Sequence, residues 1–319
     1  MWNASLPGAA AGPVVHPAVQ AWRSGTLDLG FSGSGFLLFY FLGVLQSLFD
    51  LGIASHSTRM AGSSGGALTA VGGGCGGVAP AVLLRDLTAT AEACRAAEQC
   101  YHTLDAAVRA RLDSTLPADA AARCSSRGFV AVTRADPTGP DEPLLLGERY
   151  HNKSDVVAAA AASSFLPYWS APSPFTTVRA FEAYDGGFTA PLPCPPPEGN
   201  STYCAIAQFR ALSRYNTEGN VTSPAPELDP LPGPPPPEVD IAPGKPGLSP
   251  LPFPPATWDS FSLTSIPNAT AARLIFDTGA ADAAQWARAV GLEAAAAAGA
   301  RGGRRRARGG AGAAQRQRA

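Results

Sequence analysis

Residues 27–51 read LDLGFSGSGFLLFYFLGVLQSLFDL, and this stretch decides the fold. The segment LDLGF predicts a short strand, SGSG at 32–35 predicts a turn, and the apolar run that follows predicts a helix from Phe36 to about Leu51. Strand, Gly-rich turn and helix in this order open a parallel α/β unit. The apolar run is shorter than the roughly 20 residues that cross a bilayer, so it predicts a buried helix.

A second unit of the same kind follows directly. A short strand near Arg59–Ala61 leads through GSSGG at 62–66 into a helix that begins near Ala67. Further on, the sequence predicts a strand over 128–135, a helix over 154–163 capped by Ser154, a strand over 181–187 that ends in a tight turn, and helices over 269–298. Between 191 and 256 the chain is dominated by Pro, which predicts no regular structure.

The turn at 62–66 fits G-x-S-x-G, in which glycines such as Gly62 and Gly66 permit a sharp strand-to-helix turn that exposes the serine hydroxyl. Ser64 is therefore the candidate nucleophile. In a chain with 34 Gly, a flexible Gly/Ser loop is the alternative interpretation, and the motif needs partners.

A serine nucleophile needs a base, and an α/β-hydrolase supplies it in the order Ser, Asp or Glu, then His. No His follows Asp185, so that order fails for the best acid candidate. A carboxylate that itself takes the serine proton needs no His, and Asp185, followed by Gly186 and Gly187, ends a predicted strand. The alternative interpretation of this segment is an ordinary Asp-Gly turn.

Attack on an ester creates an oxyanion, which backbone N–H groups in a Gly-rich turn can stabilise. Gly33, Ser34 and Gly35 offer such a turn just before the apolar helix. The rival interpretation is a dinucleotide-binding G-x-G-x-x-G fingerprint, but its third position is Leu38.

Five blocks of the sequence, FSGSGFLLFYFLGVLQSL, GSSGGALTA, VAVTR, AASSFLP and YDGGFTAPLP, together resemble the patatin-like phospholipase family, most of all its adipose triglyceride lipase branch. The resemblance covers roughly residues 27–193. It implies an α/β fold, a three-layer α/β/α sandwich around a mainly parallel sheet. It also implies that Ser64 is the nucleophile, Asp185 the proton acceptor and Gly33–Gly35 the oxyanion hole, with no metal and no cofactor.

The sequence accordingly divides into five parts. They are an N-terminal extension (1–26), a patatin-like acyl hydrolase domain (27–193), a Pro-rich linker (194–256), a C-terminal helical segment (257–298) and an Arg/Gly-rich tail (299–319).

Charge and cysteine content bear on partners and compartment. Residues 301–319 hold seven Arg and no acid; subtracting them from the net charge of −1 leaves −8 for the rest, which argues against a nucleic-acid-binding core. We expect a peripheral membrane or lipid-droplet partner. The motif PGPPPP (232–237) could adopt a polyproline helix for a partner groove, but compositional bias is the favoured interpretation. The six scattered Cys are expected to be free thiols.

The compartment stays open between two interpretations. A peripheral cytoplasmic enzyme is one expectation. The other is a secretory lumen, because five of the six Asn begin an N-x-[ST] sequon, namely Asn3, Asn152, Asn200, Asn220 and Asn268.

The expected function is a lipid acyl hydrolase, of triacylglycerol lipase or phospholipase A type, that acts through an acyl-enzyme. The alternative is a catalytically weak lipid-binding or regulatory protein on the same fold. The lipid headgroup is not decided by the sequence, because different glycerolipids present the same acyl ester.

Overall fold

A computed structural model describes residues 15–198, 202–209, 213–215, 221–224, 239–263 and 265–300. The predictions for the polyproline motif, for the Arg-rich tail from residue 301 and for the sequons at Asn3, Asn200 and Asn220 lie outside the described residues.

The strands are β1 (Leu27–Phe31), β2 (Met60–Ser63), β3 (Gly128–Arg134), β4 (Glu142–Leu146), β5 (Thr176–Val178), β6 (Phe181–Asp185), β7 (Tyr203–Ala207), β8 (Ser213–Tyr215) and β9 (Val221–Pro224). The helices are α1 (Pro17–Ser24), α2 (Leu38–Asp50), α3 (Gly65–Leu68), α4 (Pro80–Ala96), α5 (Leu104–Thr115), α6 (Ala120–Cys124), α7 (Lys153–Ser163), α8 (Pro255–Leu263) and α9 (Ala269–Ala289). A π-helical segment, Thr69–Cys75, extends α3, and residues 292–300 form a further helical stretch.

The strands form a mixed sheet in the order β5-β6-β3-β2-β1-β7, with β4 also paired to β3. The central pairs β7–β1, β1–β2 and β2–β3 are parallel, whereas β4 and β6 run antiparallel to β3. Strands β8 and β9 pair only with each other. The parallel centre is what the two strand-turn-helix units of the sequence predict.

Strand β3 is bordered by three strands, although a strand has only two edges. Its residues 128–131 pair with β2, 130–134 with β4, and 132–134 with β6. Because β4 overlaps both of the others along β3, it occupies one edge, and β2 and β6 must share the second. They run in opposite directions and their carboxyl ends meet, Ser63 opposite Ala131 and Asp185 opposite Val132.

Helices cover both faces of the sheet. One buried cluster joins β1 to α2 and α9, and a second joins β3 to α7, α6 and the π-helical segment. Alternate side chains of a strand point to opposite faces, which is how one sheet serves two cores. The predicted three-layer α/β/α fold is therefore confirmed.

Helix α2 is buried almost throughout, because α9 covers the side that the sheet leaves open. The two helices approach most closely at Gly43 and Gly279, where an added Cβ would lie 1.9 Å from the Phe276 carbonyl oxygen and 2.0 Å from that of Tyr40. The Tyr40 hydroxyl donates to the buried Asp282 carboxylate at 2.6 Å. Within the part of the chain that the structure describes, no helix has the length and apolar character to span a membrane.

Two predicted boundaries are corrected by the structure. Strand β7 lies inside the range predicted as a Pro-rich linker, and it pairs with β1 over its whole length from Tyr203 to Ala207. This short segment contains no Pro, so its N–H groups are free to join the sheet. Helix α7 is capped by Asn152, not Ser154; the Asn152 Oδ1 accepts a hydrogen bond from the Asp155 N–H at 2.9 Å.

The prediction of free thiols is wrong. All six cysteines pair, as Cys75–Cys124, Cys94–Cys100 and Cys194–Cys204, with Cα atoms 4.9, 4.6 and 6.1 Å apart. The first pair ties the end of the nucleophile helix, defined as α3 with its π-helical extension after the candidate nucleophile Ser64, to the segment before β3. The third joins Cys194 to Cys204 in β7. Sequence spacing does not reveal these pairs because the fold, not the chain order, brings the partners together.

Removing the disulfides pairwise by Cys→Ala substitution should destabilise the protein in the order of loop length. The loops of 49, 10 and 6 residues give entropic losses of about 4, 3 and 2 kcal/mol when each is attributed to loop closure in the unfolded chain. Urea unfolding of the three double variants measures this order. Equal losses from the longest and shortest loops would show that loop closure does not set the stability that each disulfide contributes.

Candidate active site

Ser64 occupies a strained turn between β2 and α3. Its backbone angles, φ 52° and ψ −125°, lie in a region that a non-glycine residue enters at a cost of about 1–3 kcal/mol. A Cβ on Gly62 would lie 2.2 Å from the carbonyl carbon of Gly66, and one on Gly66 would lie 2.4 Å from the Phe31 carbonyl oxygen. Both flanking positions therefore require glycine, which is the geometry that lifts a serine hydroxyl out of an α/β sheet.

Asp185 lies at the end of β6, across the junction from Ser64. The residue is 4% exposed, and its carboxylate accepts a hydrogen bond from the Gly187 N–H at 2.7 Å. Burial raises the pKa of Asp185 to about 6, although the neighbouring Ser64 hydroxyl and the Gly187 N–H act in the opposite direction. The side chain is thus a base at neutral pH that holds its proton more strongly than an ordinary aspartate.

The backbone around Asp185 is fixed by its neighbours. Its N–H donates to the Phe165 carbonyl at 2.9 Å, and its own carbonyl accepts from the Thr133 hydroxyl at 2.8 Å. Gly186 lies so close to β3 that an added Cβ would be 2.1 Å from the Ala131 carbonyl oxygen. The structure therefore brings the predicted Asp-Gly-Gly segment against the same point of β3 at which β2 ends.

Ser163 is a site residue that sequence reasoning missed. Its fully buried hydroxyl, at the last residue of α7, accepts a hydrogen bond from the Ser64 N–H at 2.9 Å and donates to the Ala131 carbonyl at 2.5 Å. It links β3 to the strained turn around Ser64 (residues 62–66), which we call the elbow. The only sequence signal is a pair of serines at the end of a helix, and nothing in that pattern points to a residue 99 positions earlier.

The predicted oxyanion turn lies beside the elbow. A Cβ on Gly33 would be 3.5 Å from the Ser64 Cβ, and Gly35, with φ 51°, turns the chain into α2. Within the described residues, neither the Gly33 nor the Ser34 N–H donates a hydrogen bond. These two groups are donors that remain available next to the serine, as an oxyanion hole requires.

The described residues contain no group of three or more His, Cys, Asp or Glu side chains placed to hold a metal ion. The side chains gathered at the elbow are instead a hydroxyl, a carboxylate and a second hydroxyl. These groups are suited to nucleophilic acyl transfer.

Comparison with known proteins supports the same interpretation. No family model matches the chain. Curated relatives include patatin-like phospholipase domain-containing protein 2 of Rattus norvegicus, 29% identical over 171 residues, and of Homo sapiens, 27% over 176 residues. Omega-hydroxyceramide transacylase of Homo sapiens is 29% identical over 181 residues. The patatin-like resemblance is confirmed.

The matches with these patatin-like relatives cover 52%, 54% and 52% of the chain, but only 35%, 34% and 31% of the relatives. The chain thus spans about a third of the length of the curated relatives it matches. The two kinds of relative are named for a phospholipase domain and for a transacylase.

Replacing Ser163 with Ala should leave the Ser64 N–H and the Ala131 carbonyl buried without partners, at a cost of about 1–3 kcal/mol. We expect kcat for a soluble ester to fall by about tenfold or more while KM changes little, since the elbow shifts but the binding surface remains.

Ser164→Ala is the matched control, because among the described residues the Ser164 hydroxyl bonds only to the Ala160 carbonyl of its own helix, at 3.2 Å. Steady-state kinetics and urea unfolding of both variants measure the effect. If Ser163→Ala lowers stability but leaves kcat unchanged, Ser163 does not position the elbow.

Proposed function

We propose that this patatin-like protein transfers the acyl group of a lipid ester to Ser64 and then to water, with Asp185 as the base in both steps. The observation that carries the proposal is a serine held in a strained turn at the point of β3 where the strand of a buried carboxylate also ends, close enough for the Ser64 hydroxyl to lower the pKa of Asp185. Strain and burial both lower stability, and they are found together at sites whose chemistry requires them.

In the first step the Ser64 Oγ attacks the ester carbonyl carbon while its proton passes to Asp185. The carbonyl oxygen becomes an oxyanion, and we expect the N–H groups of Gly33 and Ser34, which have no acceptor among the described residues, to donate to it. When the tetrahedral intermediate collapses, the C–O bond to the alcohol breaks and the alcohol takes the proton from Asp185. The products are the free alcohol and an acyl-Ser64 ester.

In the second step a water molecule attacks the acyl-Ser64 carbonyl and gives a proton to Asp185. Collapse breaks the bond to Ser64, which recovers that proton, and the fatty acid leaves. If a hydroxyl of another lipid replaces the water, the same sequence gives a transacylation. The site supports both outcomes, and the access of water to the acyl-enzyme decides between them.

Ser64→Ala should abolish ester hydrolysis and labelling by a fluorophosphonate, which reacts only with an activated serine.

Asp185→Asn should lower kcat by about 10² to 10⁴, the usual contribution of a positioned base. In the wild type, kcat/KM should rise with pH through about 6, because the base must be ionised. His151→Ala is the control, since His151 is exposed and is not part of the proposed dyad of Ser64 and Asp185.

A properly folded wild type that is neither labelled nor active would contradict the proposal and favour the lipid-binding alternative. A larger loss for His151→Ala than for Asp185→Asn would replace the dyad with a histidine-based mechanism.

We further propose that the enzyme docks on a lipid surface through an aromatic rim, defined as Tyr168, Phe175, Tyr184 and Phe188. Phe188 and Tyr168 are 62% and 61% exposed, the most of any large apolar side chains in the described residues. The rings of Tyr184 and Phe188 lie 5.2 Å apart, and those of Phe175 and Tyr184 lie 6.0 Å apart. Phe175 and Tyr184 are half-buried, so Phe188 is the exposed end of this row of rings, and exposed aromatic groups favour the membrane–water interface.

Two residues of the rim are close in sequence to Asp185 or to a residue that contacts it. Phe188 follows Asp185 by three residues, and Tyr168 follows Phe165, whose carbonyl holds the Asp185 N–H. We therefore expect a lipid surface that contacts these rings to bring its ester groups close to Ser64.

Phe188→Asp should lower the ratio of activity on phospholipid vesicles to activity on a soluble ester by about tenfold, since burial of a Phe side chain is worth about 1.5–3 kcal/mol. Val82→Asp is the matched control, because Val82 is also exposed but lies on α4, away from the dyad. Vesicle sedimentation and parallel kinetics provide the measurement. An equal drop in both variants would show a general effect of charge instead of docking.

A further inference from the structure

The disulfides place a chemical constraint on where the protein folds. All six cysteines are paired, and the pairs lie in three separate regions: after the nucleophile helix, at the end of α4 and beside β7. Disulfides form and persist in oxidising compartments and are rare in a reducing cytosol. Three independent pairs in one domain therefore indicate folding in an oxidising lumen.

Two of the five sequons fall on described residues, and both have an accessible acceptor. Asn152-Lys153-Ser154 and Asn268-Ala269-Thr270 each begin with an exposed asparagine, and the Ser or Thr at the third position is exposed as well. N-linked glycans are attached to asparagine in this pattern and need an exposed position in the folded protein.

The two asparagines share one hydrogen-bonding geometry. Each is the N-cap of a helix, and its Oδ1 accepts a backbone N–H at 2.9 Å, from Asp155 in α7 and from Ala271 in α9. In neither case does the Nδ2 donate a hydrogen bond to another described residue. A glycan replaces one hydrogen of Nδ2 and leaves Oδ1 unchanged, so each cap would survive the modification.

We propose that this protein passes through an oxidising, glycosylating lumen and carries N-linked glycans on Asn152 and Asn268. Two unrelated features carry the inference: the pairing of every cysteine, and the orientation of the two cap amides with oxygen inward and nitrogen outward. The proposal does not depend on the acyl-transfer function, because neither asparagine contacts Ser64 or Asp185.

The direct test uses the full-length protein captured by antibody from the cells that make it. Peptide N-glycosidase, which converts a glycosylated Asn to Asp, should increase its electrophoretic mobility, and peptide mass spectrometry should find Asp at positions 152 and 268. Before reduction, the denatured protein should give no maleimide labelling; after reduction, six thiols should react. Unmodified Asn at both positions, or six reactive thiols without reductant, would overturn the proposal.

Matched variants secreted from eukaryotic cells test the two sites separately. Ser154→Ala and Thr270→Ala destroy one sequon each without touching the capping asparagine, so each should lose one glycan and keep its thermal stability. Ser154→Thr and Thr270→Ser keep the sequons and should keep both glycans. If an Ala variant retains the glycan count of the wild type, the glycan is not at that site.

Discussion

The site depends on the shared edge of β3. Because β4 occupies one edge, β2 and β6 share the other. They run in opposite directions along it and end at the same point. Their carboxyl ends therefore meet, with Ser64 leaving one strand and Asp185 closing the other. The Ala131 carbonyl lies at this junction. It accepts a hydrogen bond from the Ser163 hydroxyl and lies so close to Gly186 that a Cβ on this residue would clash with it. A longer β2 or β6 would separate the dyad or block it.

The same burial that suits Asp185 to its proposed role as a base opposes its charge. Its pKa in the folded protein is about 6, above the ordinary value of 3.8. A raised folded pKa gives a stability contribution that is complete below about 3.8 and is lost as pH rises through about 6. The ionised form, which the proposed mechanism needs in order to accept the serine proton, is thus the form that folding disfavours, and the Ser64 hydroxyl and the Gly187 N–H offset part of that penalty.

The rest of the molecule holds this junction in place from both sides. On one face, α9 packs against α2 at two glycines, which fixes the helix that follows the oxyanion turn. On the other, α7 carries Ser163 to the elbow. The Cys75–Cys124 disulfide joins the far end of the nucleophile helix to the segment that leads into β3. Elements that are distant in sequence therefore restrain the same few atoms.

The sequence by itself determined the local parts of this protein. Local patterns predict the β1-turn-α2 unit, the elbow at Ser64, the strand that ends at Asp185 and the oxyanion turn. Gly62, for example, is needed because a Cβ there would meet Gly66 within the same turn. The resemblance to patatin-like proteins added the pairing of Ser64 with Asp185, which no local pattern contains.

Only the tertiary structure decided the long-range pairings. It placed β7 in the sheet within a stretch that looks like a Pro-rich linker, paired cysteines up to 49 positions apart, and set the Ser163 hydroxyl under the Ser64 N–H. Each of these contacts joins residues whose own sequence surroundings are ordinary. These contacts form and stabilise the protein only when the sheet and its helices have assembled, so no local pattern of residues encodes the contacts.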